Sequence, residues 1–335
     1  MRKFFAGGNT AYGFMGFFDD IRDKQRAGKT FIIKGGAGTG KSTLMKKVAE
    51  YAESRGKVVE RYYCSGDIDS LDAVYLPDIN LLVADGTAPH AMEPFLVGVE
   101  DVYLDVSKGI DMEKIAPYRE EISNLGAKKA VEYKNCYAYL KAAGRIAALN
   151  CEQSEKTARS SADEVFERLK KSGLEKCRGN AKKGCFLSAV TAEGITDYSG
   201  EDFSDCRLIE IRAADIYSAL AITDRLFLQS SYYGVECTGY RDALLADKVR
   251  GIFYPGINTF VTSGEIGAKD VLCFGKDVGF EHAVLNESSC ADLLDIASDC
   301  LYAAKSAHRE IEKYYVSSMQ WNVVDSAYEQ IIDQI

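Results

Sequence analysis

Phe31-Ile32-Ile33-Lys34-Gly35-Gly36-Ala37-Gly38-Thr39-Gly40-Lys41-Ser42-Thr43 is the stretch on which the reading of this chain turns. Three apolar residues run into a glycine cluster, as a buried parallel strand does when it ends in a turn. Gly35 to Ser42 then fits the phosphate-loop pattern GxxxxGK[ST] at every fixed position. The glycines open backbone conformations closed to other residues, so that successive N–H groups converge on phosphate oxygens. A helix starting near Lys41 points its positive end at the same anion. Lys41 brings a compact cation to the β- and γ-phosphates, and the Ser42 hydroxyl is a ligand for Mg²⁺. The nucleotide-binding set is therefore Gly35, Gly36, Ala37, Gly38, Thr39, Gly40, Lys41, Ser42 and Thr43, with Thr43 either touching the α-phosphate or capping the helix.

Working outward, Thr43 to Arg55 is rich in helix formers and stops at Gly56. Val58 to Cys64 reads as a second strand and Ile79 to Ala84 as a third. Strand, helix, strand, strand predicts an α/β fold, a doubly wound parallel sheet of the P-loop NTPase kind. The third strand ends in Asp85, and ligands of parallel sheets gather at the carboxyl ends of strands. Asp85 is thus expected beside Ser42, as the acidic partner of a Mg²⁺ ion. The position after Asp85, where many P-loop ATPases carry a glutamate that activates water, is Gly86. Candidates for that task are Asp67, Asp69, Asp72, Glu93 and His90, with His90 placed to polarise the γ-phosphate; Lys41 and Asp85 complete the catalytic set. A transition-state arginine is sought among Arg55, Arg61, Arg119 or another subunit.

The chain also repeats itself. Tyr75-Leu76-Pro77-Asp78-Ile79-Asn80 is echoed by Phe253-Tyr254-Pro255-Gly256-Ile257-Asn258, a shift of 255 − 77 = 178, and Phe5 to Phe14 is echoed by Phe186 to Ile195. At the shift of 178, Gly35 falls on Ala213, Gly40 on Ser218, Lys41 on Ala219, Ser42 on Leu220 and Asp85 on Ser263, so the second copy lacks the phosphate equipment. Helical stripes follow each copy: Cys136, Leu140, Ala143 and Ala147, then Val165, Phe166 and Leu169, and later Leu293, Ala297, Leu301 and Ala304. The expected organisation is a phosphate-loop unit over 1–108, a helical segment over 109–180, a degenerate copy over 181–285 and C-terminal helices over 286–335.

Composition narrows the function. With 47% hydrophobic and 27% charged residues, 335 residues can fill a core, which excludes a disordered chain. The charge of 41 − 50 = −9 gives no general basic surface and argues against a nucleic-acid partner. Ten cysteines form no CxxC pair, and three histidines do not build an imidazole metal site. No run of about 18 apolar residues is present for a membrane span, and the scattered cysteines fit a reducing, cytoplasmic setting.

The block Phe5-Ala6-Gly7-Gly8-Asn9-Thr10-Ala11-Tyr12-Gly13-Phe14, the loop from Lys34 to Lys47 and Asp85-Gly86-Thr87-Ala88-Pro89-His90 together resemble a family of bacterial, cytoplasmic tandem P-loop ATPase-like proteins. The resemblance is strongest over residues 4–98 and implies ATP as the nucleotide; relatives carry a phosphate loop in both halves, which this chain does not. The expected activity is Mg²⁺-dependent ATP hydrolysis at the N-terminal site, coupled to movement of the helices. A small-molecule kinase, with Cys64 to Asp69 and the helical segment lining an acceptor pocket, and an ATP-sensing module without turnover are the alternatives. A protein partner or self-association is left open.

Overall fold

The apolar run at Phe31 is a strand and the residues from Lys41 onward a helix, with the glycines between them in neither state. The computed structural model describes residues 2–21, 28–89, 92–275 and 281–335. Its first half contains β1 (Arg2–Phe5), β2 (Gly7–Thr10), β3 (Gly13–Gly16), α1 (Phe18–Ile21), β4 (Lys29–Lys34) and α2 (Lys41–Ser54). These are followed by β5 (Glu60–Cys64), β6 (Asp67–Leu76), β7 (Leu81–Asp85), β8 (Asp101–Asp105), α3 (Met112–Ile115), α4 (Arg119–Gln153) and α5 (Glu155–Lys171). The second half brings β9 (Ala181–Phe186), β10 (Ser188–Thr191), β11 (Gly194–Asp197), α6 (Ser199–Asp202), β12 (Arg207–Arg212) and α7 (Ile216–Tyr232). Then come β13 (Cys237–Arg241), β14 (Val249–Tyr254), β15 (Thr259–Thr262), β16 (Asp270–Cys273), α8 (Glu281–Ser317) and α9 (Asn322–Ile332).

Twelve of these strands form one sheet in the order β16-β12-β15-β14-β13-β9-β1-β5-β6-β7-β4-β8. Read from its centre, each side has the same sequence of corresponding strands. The two sides meet where β1 pairs with β9 antiparallel, at Phe5 opposite Phe186. The offset between corresponding elements is 188 − 7 = 181 at the hairpins β2–β3 and β10–β11, 207 − 29 = 178 at β4 and β12 and again 259 − 81 = 178 at β7 and β15, but 216 − 41 = 175 at the starts of α2 and α7 and 270 − 101 = 169 at β8 and β16. Asn80 and Asn258, at the ends of the echoed Pro-x-Ile-Asn turns, both adopt left-handed φ, 49° and 43°. Asparagine tolerates that conformation, and here its N–H closes the turn on the proline carbonyl.

The sheet is mixed rather than parallel, which corrects one expectation. The polar turn after Cys64 does not open a long loop: it is a tight reversal into β6, a strand that the sequence reading passed over, and β6 runs antiparallel to both β5 and β7. β4, β7 and β8 keep the parallel arrangement. Nor are long helices wound on both faces. Alternation along β4 sends Phe31 and Ile33 under α2, while Ile32 faces the other way with Phe4, Tyr62, Tyr240 and Phe260. That second face is covered by short segments, with Phe18 and Ile21 from α1 and Phe203 just after α6. Stacking of Phe203 on Phe260, with ring centres 4.1 Å apart, shows how closely the aromatics fill it.

α4 and α8 pair antiparallel, with Cys290 against Ala143 and His308 against Lys129. At 1.5 Å per residue each spans about 50 Å, enough to reach from one half to the other. Cover is then exchanged. α5, which follows α4, packs on α7 of the second half, and α9, which follows α8, packs on α2 of the first. Ala327 and Ile331 of α9 share a core with Val48 and Ala52 of α2, and Phe166 and Leu169 of α5 share one with Leu226 and Phe227 of α7. Among the described residues no helix is long and apolar enough to cross a membrane. All ten cysteines are free, five of them buried as small apolar side chains.

Candidate functional site

Gly40 is the residue before α2, at φ 85°, and it gives that helix no side-chain cap. Gly38, at φ 65°, makes the other left-handed bend. A side chain at either position would be strained by its backbone alone. The neighbours add a second constraint. A Cβ on Gly38 would stand 2.7 Å from the carbonyl of Glu312, and one on Gly40 would stand 2.9 Å from the Trp321 ring. The loop is thus held between its own strand and the far end of α8, whose residues arrive some 270 positions later in the chain.

Lys41 folds back over the loop, donating to the carbonyls of Gly35 at 2.9 Å and Gly36 at 2.7 Å, with Asp85 Oδ2 at 3.6 Å. Asp85 Oδ1 accepts the Thr87 N–H at 2.8 Å, and the Thr87 hydroxyl donates to the Gly35 carbonyl at 2.8 Å. The loop after β7 is therefore stitched to the glycine loop through one aspartate and one threonine. Ser42 Oγ accepts the Leu71 N–H of β6 at 3.0 Å. Asp85 and Ser42 line one cavity; the Asp85 carboxylate lies against Lys41, and the Ser42 hydroxyl against β6, whose next residue, Asp72, lines the cavity as well. Thr43 is exposed and lines the cavity without capping the helix.

That cavity holds about 1210 Å³, above the usual range for one small-molecule site. Its floor is the loop from Gly36 to Leu44. One wall is the β5–β6 turn and β6 as far as Asp72, and another is Asp85 to Pro89. The rest comes from α4, through Lys129, Tyr133 and Tyr137, from α8, through Lys305, His308, Arg309 and Glu312, and from Trp321 and Tyr328 at the C-terminus. Of the proposed water-activating residues, Asp67, Asp69 and Asp72 line the cavity. Glu93 lies on an exposed surface near the Tyr103 hydroxyl, and His90 lies outside the described residues. Arg61 is paired with Glu53, and Arg55 stacks on Tyr51; Arg309 is the arginine on the cavity wall.

The residues that sequence reasoning missed sit on α4 and α8. Lys129 Nζ is 2.9 Å from His308 Nδ1. Burial lowers the Lys129 pKa, and burial together with Lys129 and Lys41 lowers that of His308 to about 4. The imidazole is neutral at pH 7 and accepts from the ammonium, so its Nε2 carries the proton, 3.7 Å from Glu312 Oε1. Burial raises the pKa of Glu312, whose carboxylate also accepts from the Gly38 backbone. Lys305 lies between Asp67 at 2.7 Å and Glu193 at 2.5 Å. Arg309 reaches Asp67 at 3.4 Å and Asp69 at 3.3 Å. Burial alone would raise the Asp67 carboxyl, but Lys305 and Arg309 hold it below the ordinary range. Lys129 has no carboxylate partner among the described residues, and its charge faces the same space as Lys41.

The corresponding place in the second half is built differently. Asp215, buried, caps α7 by accepting the N–H groups of Tyr217 at 3.0 Å and Ser218 at 3.1 Å, and the Ser218 hydroxyl donates to it as well. Asn150 of α4 donates to Asp215, and Ser154 meets Ser218 at 2.7 Å. The space left there is about 20 Å³, of the order of one water.

Three comparisons with known proteins bear on this site. The family model described as Nephrocystin 3, N-terminal, matches residues 17–74, which run from just before α1 through the glycine loop and α2 to near the end of β6. The likeness is to that region alone. No curated protein and no solved structure matches the chain. Among the described residues no group of three or more His, Cys, Asp or Glu side chains is arranged to hold a metal ion.

Proposed function

We propose that the chain is a P-loop protein that binds ATP with Mg²⁺ at the loop from Gly35 to Thr43 and hydrolyses it, the second half being a degenerate copy of the same unit. The observation that carries the reading is an uncapped helix end, with Lys41 beside it, on the floor of a cavity of about 1210 Å³. The α2 amino end has free N–H groups and a positive dipole, and the loop bends at Gly38 and Gly40 to add more donors. Lys41 would exchange its two carbonyl partners for phosphate oxygens, and Asp85, by holding the ammonium at 3.6 Å, would keep it oriented.

A Mg²⁺ ion would neutralise charge on the β- and γ-phosphates when bound. The donor set suits it: Mg²⁺ is held by few protein oxygens plus phosphates and water, so the absence of a three-residue cluster among the described residues is no obstacle. The Ser42 hydroxyl spends one lone pair on Leu71 N–H and retains a second, and Asp85 and Asp72 line the same cavity from two of its walls. The tandem P-loop family resemblance supports ATP as the nucleotide and a setting in the cytoplasm. Since Glu312 lies on the Gly38 backbone, γ-phosphate entry would displace the end of α8, and the α4–α8 pair would carry that movement to the second half.

One observation favours a kinase as the second reading. The β5–β6 turn and Lys129, Tyr133 and Tyr137 of α4 line the same cavity as the loop, leaving room for an acceptor beside the γ-phosphate. Release of inorganic phosphate from Mg·ATP by the purified chain, abolished by Lys41→Ala, supports hydrolysis. ADP formed only when a hydroxyl or amine acceptor is added supports the kinase, and binding with neither outcome supports the sensor.

A further inference from the structure

The cavity has two ends, and their chemistry differs. One end, around Lys129, His308 and the β5–β6 turn, is charged. The other lies beside Gly40, where Trp321 and Val324 approach the loop; Thr43, Lys47, Val316, Asp325 and Tyr328 also line the cavity, so that aromatic and apolar side chains stand there with one charge of each sign. In a phosphate loop, the lysine reaches the β- and γ-phosphates while the following residues approach the α-phosphate. A triphosphate with its γ end at Lys41 and Asp85 therefore leaves the loop on the Thr43 side, towards Trp321. That side also lies beyond β4 from Asp85, across which β8 forms the sheet edge.

We propose that Trp321 is the wall on which the nucleotide base stacks, so that a residue from the end of the second half completes a site whose phosphate loop lies in the first. This rests on the phosphate-loop reading above and adds the base subsite to it. Trp321 is 42% exposed although it is the chain's single tryptophan and borders a cavity. Among the described residues its ring has no aromatic or hydrogen-bonding partner. Its backbone is nonetheless held in place. Gln320 N–H donates to the Gly109 carbonyl at 2.7 Å, Asp111 N–H donates to the Ser318 carbonyl at 2.8 Å, and the Trp321 carbonyl accepts Val324 and Asp325 as α9 begins. The indole lies against Gly40, where a Cβ would meet it at 2.9 Å, so glycine at this position serves the loop bend and the close approach of the ring together. A flat aromatic on a held backbone, with no ring or hydrogen-bonding partner among the described residues, at the nucleoside end of a phosphate site offers what a planar base needs. Stacking of this kind tolerates different bases, because every base has a π-face; the ligand class is a nucleoside triphosphate, not a free polyphosphate.

The single tryptophan makes the test direct. The full chain is titrated with Mg·ATP and with Mg·tripolyphosphate, by calorimetry and by tryptophan fluorescence. Both ligands should release heat, but only Mg·ATP should quench the fluorescence strongly. Trp321→Ala should weaken Mg·ATP by roughly five- to hundredfold, the range of base–aromatic stacking, and leave tripolyphosphate affinity unchanged; Trp321→Phe should restore most of the loss. Mg·ATP binding with no change in fluorescence, or an equal loss of both ligands in both variants, would overturn the base assignment while leaving the phosphate loop standing. Heat from neither ligand would instead remove the phosphate-loop reading, and this one with it.

Discussion

The amino ends of α2 and α7 occupy corresponding places in the two halves and satisfy their N–H groups in opposite ways. At α7 the anion is built in: Asp215 is buried, capped onto Tyr217 and Ser218, and covered by Asn150 and Ser154 from the end of α4. At α2 the chain supplies no cap. It supplies Gly40, Lys41 and a large cavity, covered by Trp321 and the end of α8. A helix end with its own carboxylate has no use for a phosphate, whereas one without a cap gains from an external anion. The two helix ends therefore differ by more than a lysine: the space beside α7 is about 20 Å³ and would admit no nucleotide even with a lysine at Ile216, which opens α7 as Lys41 opens α2.

The comparison is broken most forcefully at the loop lysines. Lys41→Ala should reduce phosphate release by on the order of a hundredfold or more, the scale for losing a charged donor to the transition state. Ile216→Lys, at the position that matches Lys41 when the two helix ends are laid on each other, should create no second site, because Asp215 already fills the helix end. Next in size is Lys129→Met. If the buried ammonium beside His308 serves the γ-phosphate, turnover should fall by about ten- to hundredfold, with little change in urea midpoint; an unaltered kcat would assign Lys129 to packing.

A smaller effect is expected at the other half. Asp215→Ala removes a buried cap, and equilibrium unfolding in urea should show a loss of about 1–2 kcal/mol with nucleotide affinity unchanged. A drop in affinity instead would mean that the two halves share one site. The smallest concerns pH. His308 has a pKa of about 4 in the folded chain against 6.5 when unfolded, so between those values the unfolded state holds the extra proton and stability falls as pH is lowered. Above pH 6.5 the contribution vanishes. Asp202, raised by burial to about 6, acts with the opposite sign over much of the same range, so the test is a difference: unfolding midpoints for the chain and for His308→Gln should diverge only below about pH 6.5, with the variant less acid-sensitive.

How much of this was readable in the sequence depends on the distance over which each signal acts. The glycine loop, the start of α2 at Lys41 and its end before Gly56 are local, and the sequence marks them with glycines whose φ is positive in the structure. The repeat was readable because Pro77 to Asn80 and Pro255 to Asn258 encode the same turn twice. β6 escaped because Asp67, Ile68, Asp69 and Ser70 resemble a polar loop, and antiparallel pairing with β5 and β7 has no marker in either partner. Asp85 does end its strand as the sequence suggests, whereas its contact with Lys41 depends on the loop's own geometry. Lys129, His308, Arg309 and Trp321 reach the site only because α4 and α8 are long and α9 crosses to α2. Nothing in a single sequence signals such an exchange, since the apolar stripe of α9 would suit either half.

Calorimetric titration of the full chain with Mg·ATP tests the central asymmetry most directly. One molecule should bind per chain, with binding lost in Lys41→Ala and retained in Asp215→Ala. Two molecules per chain, or binding that survives Lys41→Ala and fails in Asp215→Ala, would contradict it.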